Sequence, residues 1–237
     1  STDKQWHYIA DVKGVKIGFM AYTYGGSGKD KYFSSFSASN VQSELERMGK
    51  TIDQMRNEGA EIIVFFFHWG TEYSRKVNNS QIRFAQGLAD LGVDVVFGSH
   101  PHVMQIVDMI TSSKSGKKMF VAYSLGNFIS NQRSRYNKKW TYNEDCTILN
   151  VKITKQPDGS PAAVSEVEYL PTWTMMYTKG GRRYYTVLPL EKALQSPEAY
   201  DMNTDYDKKK AKKSLDDTNK LLADAVAKGY IKPMKLE

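Results

Sequence analysis

The sequence predicts an α/β sandwich, two packed sheets flanked by helices, and three observations carry that prediction. A strand, helix, strand unit runs from Glu61 to Phe97, and a succession of short β-prone runs follows Met104. The 237 residues, 41% hydrophobic and 25% charged, suffice for a large buried core. The net charge of +7 is spread among acids and demands no nucleic-acid partner. A single cysteine, Cys146, excludes an intrachain disulfide and a cysteine-built zinc site. No apolar run reaches the roughly 18 residues of a membrane-spanning helix, and the opening Ser1-Thr2-Asp3-Lys4 reads as that of a mature or excised piece.

The first strand is expected over residues 15–22, after a turn at Lys13-Gly14. Gly25-Gly26-Ser27-Gly28 lacks the spacing of a phosphate-cradling loop and reads as a surface loop. Ser39 and Gln42 fit a capping box, and Val41, Leu45, Met48, Ile52 and Met55 recur at helical spacing up to Gly59. The methionines then face the core. Glu61 to Phe67 is a buried-strand run ending on His68-Trp69-Gly70. Ser80 is expected to cap a helix carrying Ile82, Ala85, Leu88, Ala89 and Leu91 before Gly92. Val93 to Phe97 is the second buried strand, and it runs into Gly98-Ser99-His100-Pro101-His102. Such a unit closes right-handed with parallel strands, so both histidine-bearing loops fall on the carboxyl edge, where open sheets bind ligands.

The chain has four histidines, three of them placed after apolar strand runs. His7 reads as a satisfied core or turn residue. For His68, His100 and His102 together, ligation of a metal is the preferred reading, because neutral imidazole is the commonest metal-binding side chain. Pro101 is expected to hold His100 extended and to make the two imidazoles a rigid fork.

Beyond Met104 a hairpin is expected, with strands over 105–110 and 118–125 and a turn over 112–116. Further strands over 146–153 and 164–170, joined through Pro157-Asp158-Gly159, suggest a second, more antiparallel sheet. In residues 190–237, lysine clusters precede an amphipathic stretch with Leu215, Leu221, Leu222 and Val226, read as a surface helix with a solvated charged face. The division expected is therefore a main domain over 1–189 and a helical charged extension over 190–237.

Three motifs stand in order: His68-Trp69-Gly70-Thr71-Glu72-Tyr73, Gly98-Ser99-His100-Pro101-His102-Val103-Met104-Gln105, and Tyr123-Ser124-Leu125-Gly126-Asn127-Phe128. Together they resemble the bacterial capsule-synthesis and poly-γ-glutamate biosynthesis family CapA, or PGA_cap, whose fold is similar to calcineurin-like metallophosphoesterases. The resemblance covers roughly residues 11 to 175. It implies that His68, His100 and His102 are late histidine ligands of a metal centre of one or two divalent ions of Zn, Mn or Fe type. No Gly-Asp or Asn-His pair precedes residue 61, so the chain is expected to be the carboxyl-terminal part of a family member, without the first strands. The resemblance further implies the outer face of the bacterial membrane as location. As partners it implies an anionic surface polymer or its precursor and a membrane-bound biosynthesis complex.

His68 and Glu72 are the candidate catalytic residues, although Glu72 on a polar loop also reads as a solvated carboxylate. Trp69, Tyr73, Ser124 and Asn127 are candidate substrate contacts. Against that, aromatics beside glycine often plug a loop against the core, and Gly126-Asn127 is ordinary turn chemistry. Asp94, Glu72 and Asp108 are the carboxylates available to accompany the histidines. Arg133, Arg135, Lys138 and Lys139 either gather an anionic polymer or form a solvated loop. Two functions stay open: a surface protein of polymer biosynthesis with a phosphoesterase-like metal site, or an active metal-dependent hydrolase acting on such a polymer.

Overall fold

Alternation along the central strand decides which layer each face of the main sheet meets. In the computed structural model, which describes residues 7–24, 34–155 and 158–236, that strand is β4 (Ile62–His68). Ile63, Phe65 and Phe67 share a core cluster with two helices, while Ile62 and Val64 join a second cluster on the opposite face. A run apolar on both faces is what a parallel strand covered on both sides requires.

The chain order is β1 (His7–Val12), β2 (Val15–Tyr24), β3 (Ser35–Phe36), α1 (Val41–Asn57), β4, α2 (Asn79–Asp90), β5 (Val95–Ser99), β6 (Val107–Thr111) and β7 (Lys118–Ala122). Then come β8 (Asp145–Thr154), β9 (Ala163–Lys179), β10 (Arg182–Pro189), α3 (Leu190–Gln195), α4 (Asp205–Ala227) and β11 (Lys232–Pro233). The first sheet has seven strands in the order β1-β2-β4-β5-β7-β6, with β3 beside β2. Its β2, β4, β5 and β7 run parallel, and β1 and β6 are antiparallel edges. The second sheet has four strands, with β9 pairing β8, β10 and β11. Helices α1 and α2 cover one face of the first sheet; β9, α4 and Ile231 cover the other. This is the two-sheet sandwich flanked by helices that the sequence predicts.

Three local expectations change. Helix α1 starts after Asn40 with no side-chain cap: Ser39 Oγ pairs with Ser37 Oγ at 2.9 Å and Gln42 donates to Glu46 at 3.1 Å, so the Ser39/Gln42 box does not form. Helix α2 is capped by Asn78, not Ser80, in a reciprocal box with Gln81 whose two bonds are each 3.0 Å. That start sets the core stripe to Gln81, Phe84, Ala85, Leu88 and Ala89, and Ile82 lies off it, 50% exposed. Helix α4 does carry charges outward, yet it buries a stripe of Ala211, Ser214, Thr218, Leu222 and Ala225. Small residues let that face lie close against β8 and β9, while Leu215, Leu221 and Val226 flank it half-buried. Gly25–Gly28 and Pro157 lie outside the described residues.

Candidate functional site

Strand register brings the histidines together. His68 closes β4 opposite Thr23 of β2 and Ser99 of β5, and the His-Pro-His loop leaves β5 immediately after that pair. Strand β5 needs glycine at position 98, because a Cβ there would lie 2.0 Å from the Tyr123 carbonyl oxygen and 2.5 Å from Trp69 Nε1. Trp69 is 2% exposed, donates its indole N–H to the Tyr123 carbonyl at 2.9 Å and stacks on Phe67. It plugs the loop against the core, and that burial removes its ring from any substrate. Ser124 is likewise buried; its carbonyl accepts from the Gln105 N–H at 3.1 Å and its hydroxyl from the Gly126 N–H at 3.4 Å. Its role is the turn, not a substrate contact.

The other predicted site residues form one connected cluster. His68 Nε2 lies 3.0 Å from His100 Nδ1, and His100 Nε2 lies 2.5 Å from the Tyr24 hydroxyl. A phenol donating to Nε2 leaves the His100 hydrogen on Nδ1, which then donates to His68. His102 donates from Nδ1 to Asn127 Oδ1 at 3.0 Å, since the Asn127 amide nitrogen is committed to Gln132 and the Asn143 carbonyl. The His102 Nε2 atom is thereby directed outward, 3.8 Å from the half-exposed carboxylate of Glu72. Tyr73 stacks on His102 with centroids 5.7 Å apart, and its N–H donates to the Pro101 carbonyl at 2.8 Å. Asn127 and Tyr73 thus hold His102, roles nearer to positioning than to the substrate contacts expected of them.

The backbone of the loops after β4 and β5 is strained. His100 has φ +98°, His102 +59° and Tyr73 +62°, three of the five non-glycine residues with positive φ among those described. His100 is therefore not held extended by Pro101, as the sequence suggests; its bonds to Tyr24 and His68 over-determine a rare conformation. Non-glycine residues in that region cost of order 1–3 kcal/mol each and collect at functional sites.

Burial lowers the pKa of both His68 and His100, and the neighbouring imidazoles lower it further, against a smaller opposing pull from Glu72. Both rings are neutral at pH 7, the form that ligates metals. The donor chemistry suits a borderline divalent cation. Yet among the described residues no group of three or more His, Cys, Asp or Glu side chains is disposed to hold one. Asp94 cannot join them: at the other end of β4 it accepts from the Ile63 N–H at 2.8 Å and from Arg56 at 3.0 Å. Asp108 accepts from the neighbouring Met109 N–H on β6. Glu72 alone of the three candidate carboxylates reaches a histidine.

Sequence reasoning missed Tyr24 and Gln132. Tyr24 stands at the carboxyl edge of β2, where a strand extended by two residues would have placed it. Gln132 links Asn127 to the Tyr73 hydroxyl, and no local pattern marks it. His7 is buried with Nε2 2.9 Å from Glu58, the satisfied role expected of it. Arg133 is buried and donates to Glu144 at 2.8 Å, so it leaves the solvated basic loop.

Comparison with known proteins adds to this geometry. A family model described as "Bacterial capsule synthesis protein PGA_cap" matches residues 1–132, a stretch containing all three motifs but not β8 onward. The chain is 28% identical over 146 residues to "Capsule biosynthesis protein CapA" of Bacillus anthracis, covering 60% of this chain and 32% of that protein. It is 27% identical over 148 residues to "PGA biosynthesis protein CapA" of Bacillus subtilis (strain 168), covering 62% and 35%. The chain spans about a third of the length of these curated relatives.

Proposed function

The chain belongs to the bacterial capsule synthesis protein family PGA_cap, and from that premise we propose that it serves biosynthesis of an anionic capsule polymer at the cell surface. Its histidine edge is the working site in this reading. The observation that carries the proposal is the meeting of His68, His100, His102, Tyr24 and Glu72 at the carboxyl edge of the parallel strands. His68, His100 and His102 are the residues that would hold a divalent ion once the His68–His100 and Tyr24–His100 hydrogen bonds, which occupy those ring nitrogens here, are given up; bound there, it would polarise an anionic oxygen. The chain's own contribution is preparation. Asn127 sets the His102 tautomer, Tyr24 orders His100, and partial burial keeps His68 and His100 unprotonated. Association with the envelope agrees with the names of the relatives, and no helix among the described residues is long and apolar enough to cross a membrane.

The test is genetic. Cells lacking the protein are given its gene carrying His68→Ala or His102→Ala. The expected outcome is loss of surface polymer at unchanged protein level; normal polymer yield from both variants sinks the proposal. One contact favours the second reading, hydrolysis: Glu72 beside His102 Nε2 is a carboxylate placed to assist proton transfer. Turnover of a generic phosphodiester by the full-length protein, abolished by Glu72→Gln, would favour that reading.

A further inference from the structure

We propose that the 131–140 loop and the tip of the β9–β10 hairpin together form a track for an extended polycarboxylate chain, leading toward the histidine edge. The inference rests on the capsule-polymer reading above and adds where such a polymer lies. Residues 128–142 and 169–190 contain no aspartate or glutamate at all. Between them they expose Arg135, Lys138, Lys139, Lys179, Arg182 and Arg183. None of these six takes part in an ion pair among the described residues. Helix α4 differs in mixing both signs: five aspartates stand among its lysines, Lys212 and Lys213 are each paired with an aspartate one turn away, and Lys228 just past its end pairs with Asp224. A cation already paired offers little to a polyanion; six unpaired ones offer a multivalent surface.

Tertiary structure makes one surface of the two segments. Arg135 Nη2 lies 3.3 Å from Met176 Sδ on β9, and the Tyr185 hydroxyl of β10 donates to Asn131 at 2.8 Å. Arg135 also donates to the Tyr136 hydroxyl at 3.2 Å. That bond holds the Tyr136 phenol below its ordinary pKa, with the charge of Arg183 acting in the same direction, so cations from both segments favour negative charge at one exposed point. Guanidinium groups bind carboxylates through two parallel hydrogen bonds, which suits a chain of repeated carboxylates. Tyr136 and Tyr184, exposed among these cations, carry hydroxyls suited to a hydrated polymer, while the exposed apolar Phe128 and Ile129 stand before the loop.

The track also connects to the site. Gln132, at the start of the loop, accepts from Asn127 at 3.1 Å and donates to the Tyr73 hydroxyl at 3.4 Å. Those are the two residues that hold His102. A polymer bound along the loop would therefore end near the outward Nε2 atom of His102.

Fluorescence anisotropy of labelled poly-glutamate with the full chain tests this. Arg135→Glu with Arg183→Glu is expected to weaken binding about ten-fold or more, and Lys138→Ser with Lys139→Ser by a smaller factor without charge reversal. Lys209→Glu with Lys220→Glu makes the same change in net charge on exposed α4 positions and is expected to alter binding less than about two-fold. Equal loss in the patch and α4 variants, no loss in either patch variant, or no binding by the wild type would overturn the proposal. So would patch-dependent binding of phosphatidylglycerol vesicles in preference to poly-glutamate. The measurement needs no cells: patch-dependent binding alongside normal polymer yield in the histidine variants refutes the capsule reading alone. Patch-independent binding with lost yield refutes the track alone.

Discussion

The side-chain oxygen of Asn127 accepts the Nδ1 hydrogen of His102 at 3.0 Å, and this one bond decides which nitrogen of His102 faces the site. Residues 25 positions apart in sequence meet because the loop after β7 returns beside the loop after β5. Replacing Asn127 by Leu removes the acceptor and frees the tautomer. Zn²⁺ affinity of the chain should then fall by about ten-fold or more, as for other second ligands of metal-bound histidines. Asn127→Asp keeps an acceptor and should retain affinity. Calorimetric titration of the two variants checks this, and equal affinities would sink the tautomer argument.

Zn²⁺ stoichiometry tests the histidine set itself. Three neutral imidazoles suit a single cation, so the chain should take up at most one Zn²⁺, and His102→Ala should abolish uptake with little change in stability. Each imidazole must be unprotonated to ligate. Uptake should therefore weaken as pH falls below the ordinary histidine pKa of about 6.5, later for His68 and His100, whose pKa values are lowered by burial. Two tight sites by calorimetry would show the assignment to be wrong.

Gly98→Ala should be among the most damaging single changes in the protein. The new methyl would stand 2.0 Å from a backbone carbonyl oxygen that already accepts from Trp69, and neither group has room to retreat. A loss of more than about 3 kcal/mol in urea unfolding is expected. A loss below about 1 kcal/mol would mean that this end of β5 relaxes freely.

Asp145 supplies a pH dependence away from the site. It is 5% exposed, and desolvation pushes its pKa up to about 7, opposed by a hydrogen bond with Ser214 and helped by the nearby charge of Asp217. Between the unfolded carboxyl range and pH 7 the folded state binds the extra proton, so this group's contribution to stability falls as pH rises through that window. Asp145→Asn should match the wild type near pH 4 and exceed it above pH 7, by roughly 5 °C or more in melting temperature. A constant difference across that range by scanning calorimetry would refute the buried-carboxyl account.

Much of this protein is decided locally. The apolar runs of β4 and β5, closed by a helix between them, determine parallel pairing and hence the shared edge of His68, His100 and His102. Connectivity alone does that, because a right-handed crossover leaves no other edge. The partners of those histidines are a different matter. Tyr24, Asn127 and Gln132 reach the cluster from β2 and from the chain after β7, at separations that no periodicity records. The burial of Trp69, Ser124 and Arg133 is likewise set by neighbours distant in sequence: the Tyr123 carbonyl, Gln105 and Glu144. Even the start of α2 turns on a choice between Asn78 and Ser80 that favours Asn78, because Gln81 can bond back to it. Sequence pattern determines which residues are presented to the edge; close packing at that edge determines which of them remain free to act.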